Sequence, residues 1–230
     1  MNQVRNENPA LLLAGGRPID AGIYAAALSP FLAATPKPVA AYIGAANGDN
    51  PAFYALMKSM LLRAGVSKVV FVRLARKKID AGAVKAALAF ADLIFISGGE
   101  VEDGMNWLNR HGLTAFLKSL YREGKQFLCV SAGTIMMGAR WVRWDDPGND
   151  DTAELFDCLG IIPVVFDTHA EDEDWIELKT VLRLTGDGAR GYGIPRGGAI
   201  RADSKGTLVN LKESYLTFIN ENGNCRIAEE

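Results

Sequence analysis

Ser131 stands where a short apolar run, Gln126-Phe127-Leu128-Cys129-Val130, passes into Ala132-Gly133 and then into a helix-like pattern. A serine on such a sharp strand-to-helix turn holds its Oγ above the end of a sheet. The N–H of the next residue is then free to bind an oxyanion, which is the physics of a nucleophile elbow. The same position also suits an ordinary helix N-cap, which needs no chemistry. A serine nucleophile requires a base, and histidine is the side chain matched to that task at neutral pH. The chain holds two. His111 lies in the polar turn Asn109-Arg110-His111-Gly112 and reads as an exposed loop residue, whereas His169 closes an apparent strand and would reach the same sheet edge as Ser131. A carboxylate is needed to fix the imidazole tautomer. Asp145, Asp146, Asp150 and Asp151 lie between serine and histidine, and Asp167, on the same strand face as His169, competes with them.

Positioning these groups falls to a regular alternation of short apolar runs and helical patterns. Strands are expected over residues 9–14, 38–43, 68–72, 92–97 and 126–130. Between them, Asp20 caps a helix reaching about residue 32, and Pro51 sits in the first turn of another that shows Phe53, Leu56, Met57, Met60 and Leu61 on one face. Further helices are expected over 80–90, 105–109 and 113–122. This pattern predicts an α/β fold with a mostly parallel central sheet and helices on both faces. The carboxyl ends of such strands line a ligand crevice, so Gly15-Gly16, Gly44 to Gly48, Gly98-Gly99 and Ser131 should converge, with Gly98-Gly99 able to present a second backbone donor. Later come a strand over 161–166, a helix over 175–184 opened by Glu171-Asp172-Glu173-Asp174, and antiparallel strands near 199–200, 207–209, 215–219 and 225–227.

Bulk properties set the boundaries. A composition 49% hydrophobic and 23% charged can bury a sizeable core, and no low-complexity run divides the 230 residues, so one domain is expected, with residues 1–8 unordered. The net charge of −2, without a basic block, gives no electrostatic footprint for nucleic acid, and no GxGxxG or P-loop pattern supports a nucleotide. Three cysteines without metal-ligand spacing, a polar start unlike a signal peptide and no run of membrane-spanning length point to a cytoplasmic protein.

On Ser131-Ala132-Gly133, Gly98-Gly99, His169 and the intervening aspartates, the sequence resembles the peptidase E and cyanophycinase family of serine peptidases. Their fold is similar to that of class I glutamine amidotransferases, with serine in place of cysteine. Ile43-Gly44-Ala45-Ala46-Asn47-Gly48-Asp49 is similar to the family's segment after its second strand, and Ile94-Phe95-Ile96-Ser97-Gly98-Gly99-Glu100 to its strand ending in Gly-Gly-acid. Gly191-Tyr192-Gly193-Ile194 followed by Ala199-Ile200 is similar to its late Gly-x-Gly-Ile segment. The resemblance implies Ser131 as nucleophile, His169 as base, oxyanion donors at Gly99 and Ala132 with Gly98 a weaker candidate, and Asp146, before Pro147, as the acid, or Asp145 if the register slips. It further implies hydrolysis of small peptides or isopeptides through an acyl-enzyme, without metal or organic cofactor. The expected partner is a small peptide, with room for a homodimer, and neither nucleic acid nor membrane.

Three departures stand against the family pattern: Cys129 in place of the glycine two before the serine, Pro195-Arg196 in place of an acid after Gly-Ile, and acids at 171–174 where basic residues are common. The acidic run reads as a solvated face or as a site for a basic substrate group. The alternative function is a catalytically inactive binding or regulatory protein of the same fold. A metal enzyme built on His169 and the acidic run is a weaker alternative. A glutamine amidotransferase is disfavoured by serine at the nucleophile position.

Overall fold

A computed structural model describes residues 9–16, 21–146 and 149–228. The expectations for residues 1–8, for Asp20 and for Pro147 lie outside them. The first half of the chain alternates β1 (Ala10–Leu13), α1 (Ala21–Ala34), β2 (Val39–Ile43), α2 (Pro51–Ala64), β3 (Lys68–Val72), α3 (Ala81–Phe90) and β4 (Leu93–Ile96). It continues through α4 (Val101–Arg110), α5 (Thr114–Arg122), β5 (Gln126–Val130) and α6 (Ala132–Met137). A hairpin, β6 (Arg140–Trp144) and β7 (Ala153–Asp157), precedes β8 (Val165–Thr168) and α7 (Ile176–Thr185). The chain closes through β9 (Arg190–Ile194), β10 (Ala199–Ala202), β11 (Leu208–Lys212), β12 (Leu216–Glu221) and β13 (Asn224–Ile227).

Local chemistry explains the boundaries. Asn50 caps α2 by accepting from the N–H groups of Ala52 and Phe53, Pro51 opens the helix where its missing N–H costs nothing, and left-handed Gly65 ends it. Asp80 caps α3 through Ala83. The central sheet runs β11-β10-β1-β5-β4-β2-β3, parallel from β1 to β3 and antiparallel at β10 and β11. Alternate residues feed two cores: Leu12, Ile96 and Cys129 pack on one face, Leu13, Phe95 and Leu128 on the other, beneath α1 and α2. β5 thus lies between β1 and β4, and the serine at its end is flanked by the loops that follow those two strands. Among the described residues no helix is long and apolar enough to cross a membrane.

A second sheet, β13-β12-β9-β8, was not foreseen, and it corrects the expectation that His169 ends a strand of the serine's own sheet. Nor does β8 begin at residue 161. The N–H groups of Ile161 and Ile162 are already committed to the carbonyl of Met137, at 3.2 and 3.0 Å. Leu159 donates to Met136, Gly160 to Gly138, and Ala139 to Val164. The carbonyls that α6 cannot satisfy within itself are therefore met by the segment leading into β8, which ties the second sheet to the helix behind Ser131.

The elbow helix also packs against the end of β4 without clearance. A Cβ at Gly133 would collide with the Ile96 carbonyl oxygen and meet Ser97 O at 3.0 Å. Gly133→Ala should therefore cost about 3 kcal/mol of unfolding free energy, read as a lowered urea midpoint.

Candidate active site

Ser131 has φ 53° and ψ −125°, a conformation costly for a residue with a Cβ and imposed by its surroundings. Its N–H donates to Leu13 O at 3.0 Å, and its carbonyl accepts from Thr134 and Ile135, opening α6. Its side chain makes no capping bond to the helix, which removes the plain N-cap reading. Instead Ser131 Oγ lies 2.9 Å from His169 Nε2. Space around the turn is scarce: a Cβ on Gly98 would stand 3.0 Å from Ser131 Cβ, and one on Gly15 would stand 3.0 Å from Val130 Cγ2. Cys129 does not disturb the turn. It is fully buried in β5 beside Leu12 and Ile96 on the neighbouring strands, and burial pushes its thiol well above the ordinary range.

His169 follows β8 in a left-handed conformation, φ 48°, with its N–H donating to Ile194 O at 2.9 Å. That bond continues the parallel pairing of β8 with β9 and turns the imidazole toward the elbow. His111, by contrast, is half-buried rather than exposed: it is stacked on Trp107, with Nε2 2.9 Å from Leu74 O, and takes no part in the site.

Around the serine, the N–H groups of Gly99 and Ala132 have no acceptor among the described residues. Gly99 is held at φ +142° with Glu100 N–H bonded to Ala46 O at 2.7 Å, and any Cβ there would sink into that same carbonyl. Asn47 fixes the loop from behind, donating from Nδ2 to Gly98 O at 2.9 Å and to Ser97 Oγ at 3.1 Å, while Tyr42 Oη donates to the same Ser97 Oγ. Sequence reasoning placed Asn47 in a turn but missed this role. Its signal is an amide five residues after a buried tyrosine, legible only once β2 and β4 are known to be neighbours.

The aspartates divide. Asp145 and Asp146 are exposed in the loop after β6, and Asp146 is linked through its backbone N–H and carbonyl to Thr152 Oγ1. Neither makes a described hydrogen bond to His169. Asp167 is buried, with Oδ1 accepting from Thr168 N–H and Oδ2 lacking a partner. Burial raises its carboxyl from 3.8 to about 7, opposed by the Thr168 N–H and reinforced by Glu177 and Glu173.

Two of the sequence departures turn out to be one contact. Arg196 donates its N–H to Glu171 Oε1 at 2.6 Å and its guanidinium to Asp172 Oδ2 at 2.9 Å.

Two clefts meet at Ser131. One, of about 1020 Å³, is apolar, lined by Leu13, Ile23, Tyr24, Phe53 and Met57. The other, of about 460 Å³, holds His169 together with Asp167, Glu173, Glu177, Glu100 and Glu102.

The sequence model of peptidase family S51 matches residues 10–209. The crystal structure of a peptidase from an acI-B1 Actinobacterium is similar over 96% of this chain and 93% of that one, at a TM-score of 0.71 and 18% identity. A putative peptidase E protein from Listeria monocytogenes EGD-e is similar over 90% of this chain and 99% of its own, at a TM-score of 0.64 and 17% identity. At these identities the likeness is one of fold. No curated protein matches the sequence.

Asp167 yields a pH signature. Its folded pKa of about 7 stands above the ordinary 3.8, so between those values the folded protein keeps a proton that the unfolded chain releases. Stability should fall as pH rises from about 4 to about 7 and level off above that, with Glu177, also raised by burial, adding in the same direction. Urea midpoints across this range should drop for the wild-type protein and flatten in Asp167→Asn.

Proposed function

This chain belongs to peptidase family S51, the peptidase E and cyanophycinase family of serine peptidases, and on that premise we propose that it cleaves a small peptide or isopeptide amide through an acyl-enzyme on Ser131. The observation that carries the reading is the 2.9 Å approach of Ser131 Oγ to His169 Nε2, from a serine whose backbone is strained and whose side chain makes no capping bond. Ser131 Oγ attacks the carbonyl carbon while its proton passes to His169 Nε2. The oxyanion is met by the N–H groups of Gly99 and Ala132, donors already in place and costing no reorganisation. His169 then gives the proton to the departing nitrogen, the C–N bond breaks and the amine leaves. Water, deprotonated by the same imidazole, attacks the ester carbonyl and frees Ser131.

For the acid, the family resemblance assigns Asp146, or Asp145. Asp167 and Glu173 line the cleft that holds His169, and neither makes a described hydrogen bond to its ring.

One observation favours the second reading, a catalytically inactive binding member of the family: no described carboxylate is hydrogen-bonded to His169. The two readings separate on a fluorophosphonate probe. Covalent labelling of Ser131 that disappears in Ser131→Ala, and a fall in kcat/KM of about 10³-fold or more in His169→Ala, are expected of the enzyme. An unlabelled, folded wild-type protein would leave the binding reading standing. Asp146→Asn should lower kcat by about 100-fold or more, and an unchanged rate would move the role to Asp145 or leave a Ser–His pair. Asn47→Ala, which frees the Gly98-Gly99 loop, should lower kcat by about tenfold with KM little changed.

A further inference from the structure

The acidic cleft beside His169 has more negative charge than its own residues neutralise. Of the run 171–174, Glu171 and Asp172 are taken by Arg196 and Asp174 by Lys179, at 2.8 Å. Glu173 has no described side-chain partner, nor has Glu177, which is half-buried on α7. Arg143, the cation among the lining residues, is already bound by Glu102 and Glu154. The crowding leaves its mark: burial raises the carboxyls of both Asp167 and Glu177, and Glu173 raises them further.

Independent of charge, the cleft is lined by residues whose buried polar atoms lack partners, the indole N–H of Trp144 among them. The hydroxyl of Thr168, 4% exposed, has no hydrogen-bond partner, and neither has Oδ2 of Asp167, 2% exposed. Unpaired polar atoms at such depth are costly unless a ligand completes them. Trp141 and Trp144 line the same space, and indole faces attract organic cations. No three carboxyl, imidazole or thiol groups among the described residues converge as a metal ligand set. The chemistry fits a flexible organic cation with several N–H donors.

Position says which part of a substrate this would be. His169 must deliver its proton to the departing nitrogen, so the leaving residue lies on the imidazole's side of Ser131. His169 lines the acidic cleft and is absent from the lining of the apolar one. We propose that the acidic cleft of Asp167, Thr168, Glu173 and Glu177 is a leaving-group subsite for a guanidinium or ammonium side chain, with an apolar acyl residue in the opposite cleft. The enzyme then prefers amide bonds whose departing amine belongs to an arginine or lysine residue. This rests on the acyl-enzyme reading above for its direction, though not for the existence of the cation site.

The test is a set of capped dipeptide amides, acetyl-Leu followed by Arg, Lys, Gln or Glu. The Arg and Lys substrates should exceed the Gln substrate in kcat/KM by about tenfold, with Glu slowest. The double variant Glu173→Gln, Glu177→Gln should bring the Arg-to-Gln ratio close to unity, and a wild-type ratio already within about twofold of unity overturns the proposal. Calorimetry with the Ser131→Ala protein gives a second readout, independent of turnover. Arginine amide should bind at least about tenfold more tightly than glutamine amide, and equal affinities sink the cation site whether or not any peptide is cleaved. Preferential arginine amide binding in a protein that no fluorophosphonate labels would keep the site and overturn the hydrolase reading instead.

Discussion

A single strained residue organises this molecule. Ser131 holds a left-handed backbone at the end of the central strand β5, and the cost is met because each neighbour depends on that conformation. β1 takes its N–H at Leu13, α6 starts from its carbonyl, and Gly15 and Gly98 leave only enough room for its Cβ. Relaxing the turn would unseat the first turn of α6. That helix in turn satisfies its last carbonyls with the segment that leads to β8, so the position of the histidine derives from the same point.

The parts legible in the sequence are those where local pattern and tertiary role agree. The strands of the parallel core read correctly because they are short, apolar and buried on both faces, and the glycine loops because glycine alone fits beside the elbow. The second sheet was hidden by its own packing. Gly191 and Gly193 break any apolar strand pattern, yet they lie in β9, where any side chain would press into Leu178 or the Trp175 ring, with gaps of 2.7 and 2.8 Å. The β6–β7 hairpin was missed because its connection is long and acidic rather than a two-residue turn. Ser131 and His169 could be chosen by elimination and by family resemblance. The Asn47 network could not, because it joins residues some 50 positions apart across β2 and β4.

The departures from the family pattern acquire a shared meaning in three dimensions. Arg196 pairs its guanidinium with Asp172 and gives its backbone N–H to Glu171, so two of the departures meet in one contact. The contact bridges the β9–β10 turn and the segment after His169. What that contact leaves unpaired is the charge at Glu173 and Glu177, which line the site.

The separation of serine and histidine onto two sheets also has a kinetic side. The elbow is built where β5 lies between β1 and β4, strands that all precede α6 in the chain, while the imidazole comes within reach only where β8, paired to β9, docks on α6. A nascent or partly opened chain can therefore hold a complete elbow and still lack a base within reach of it. On the hydrolase reading, a reactive Ser131 therefore requires β8 docked on α6.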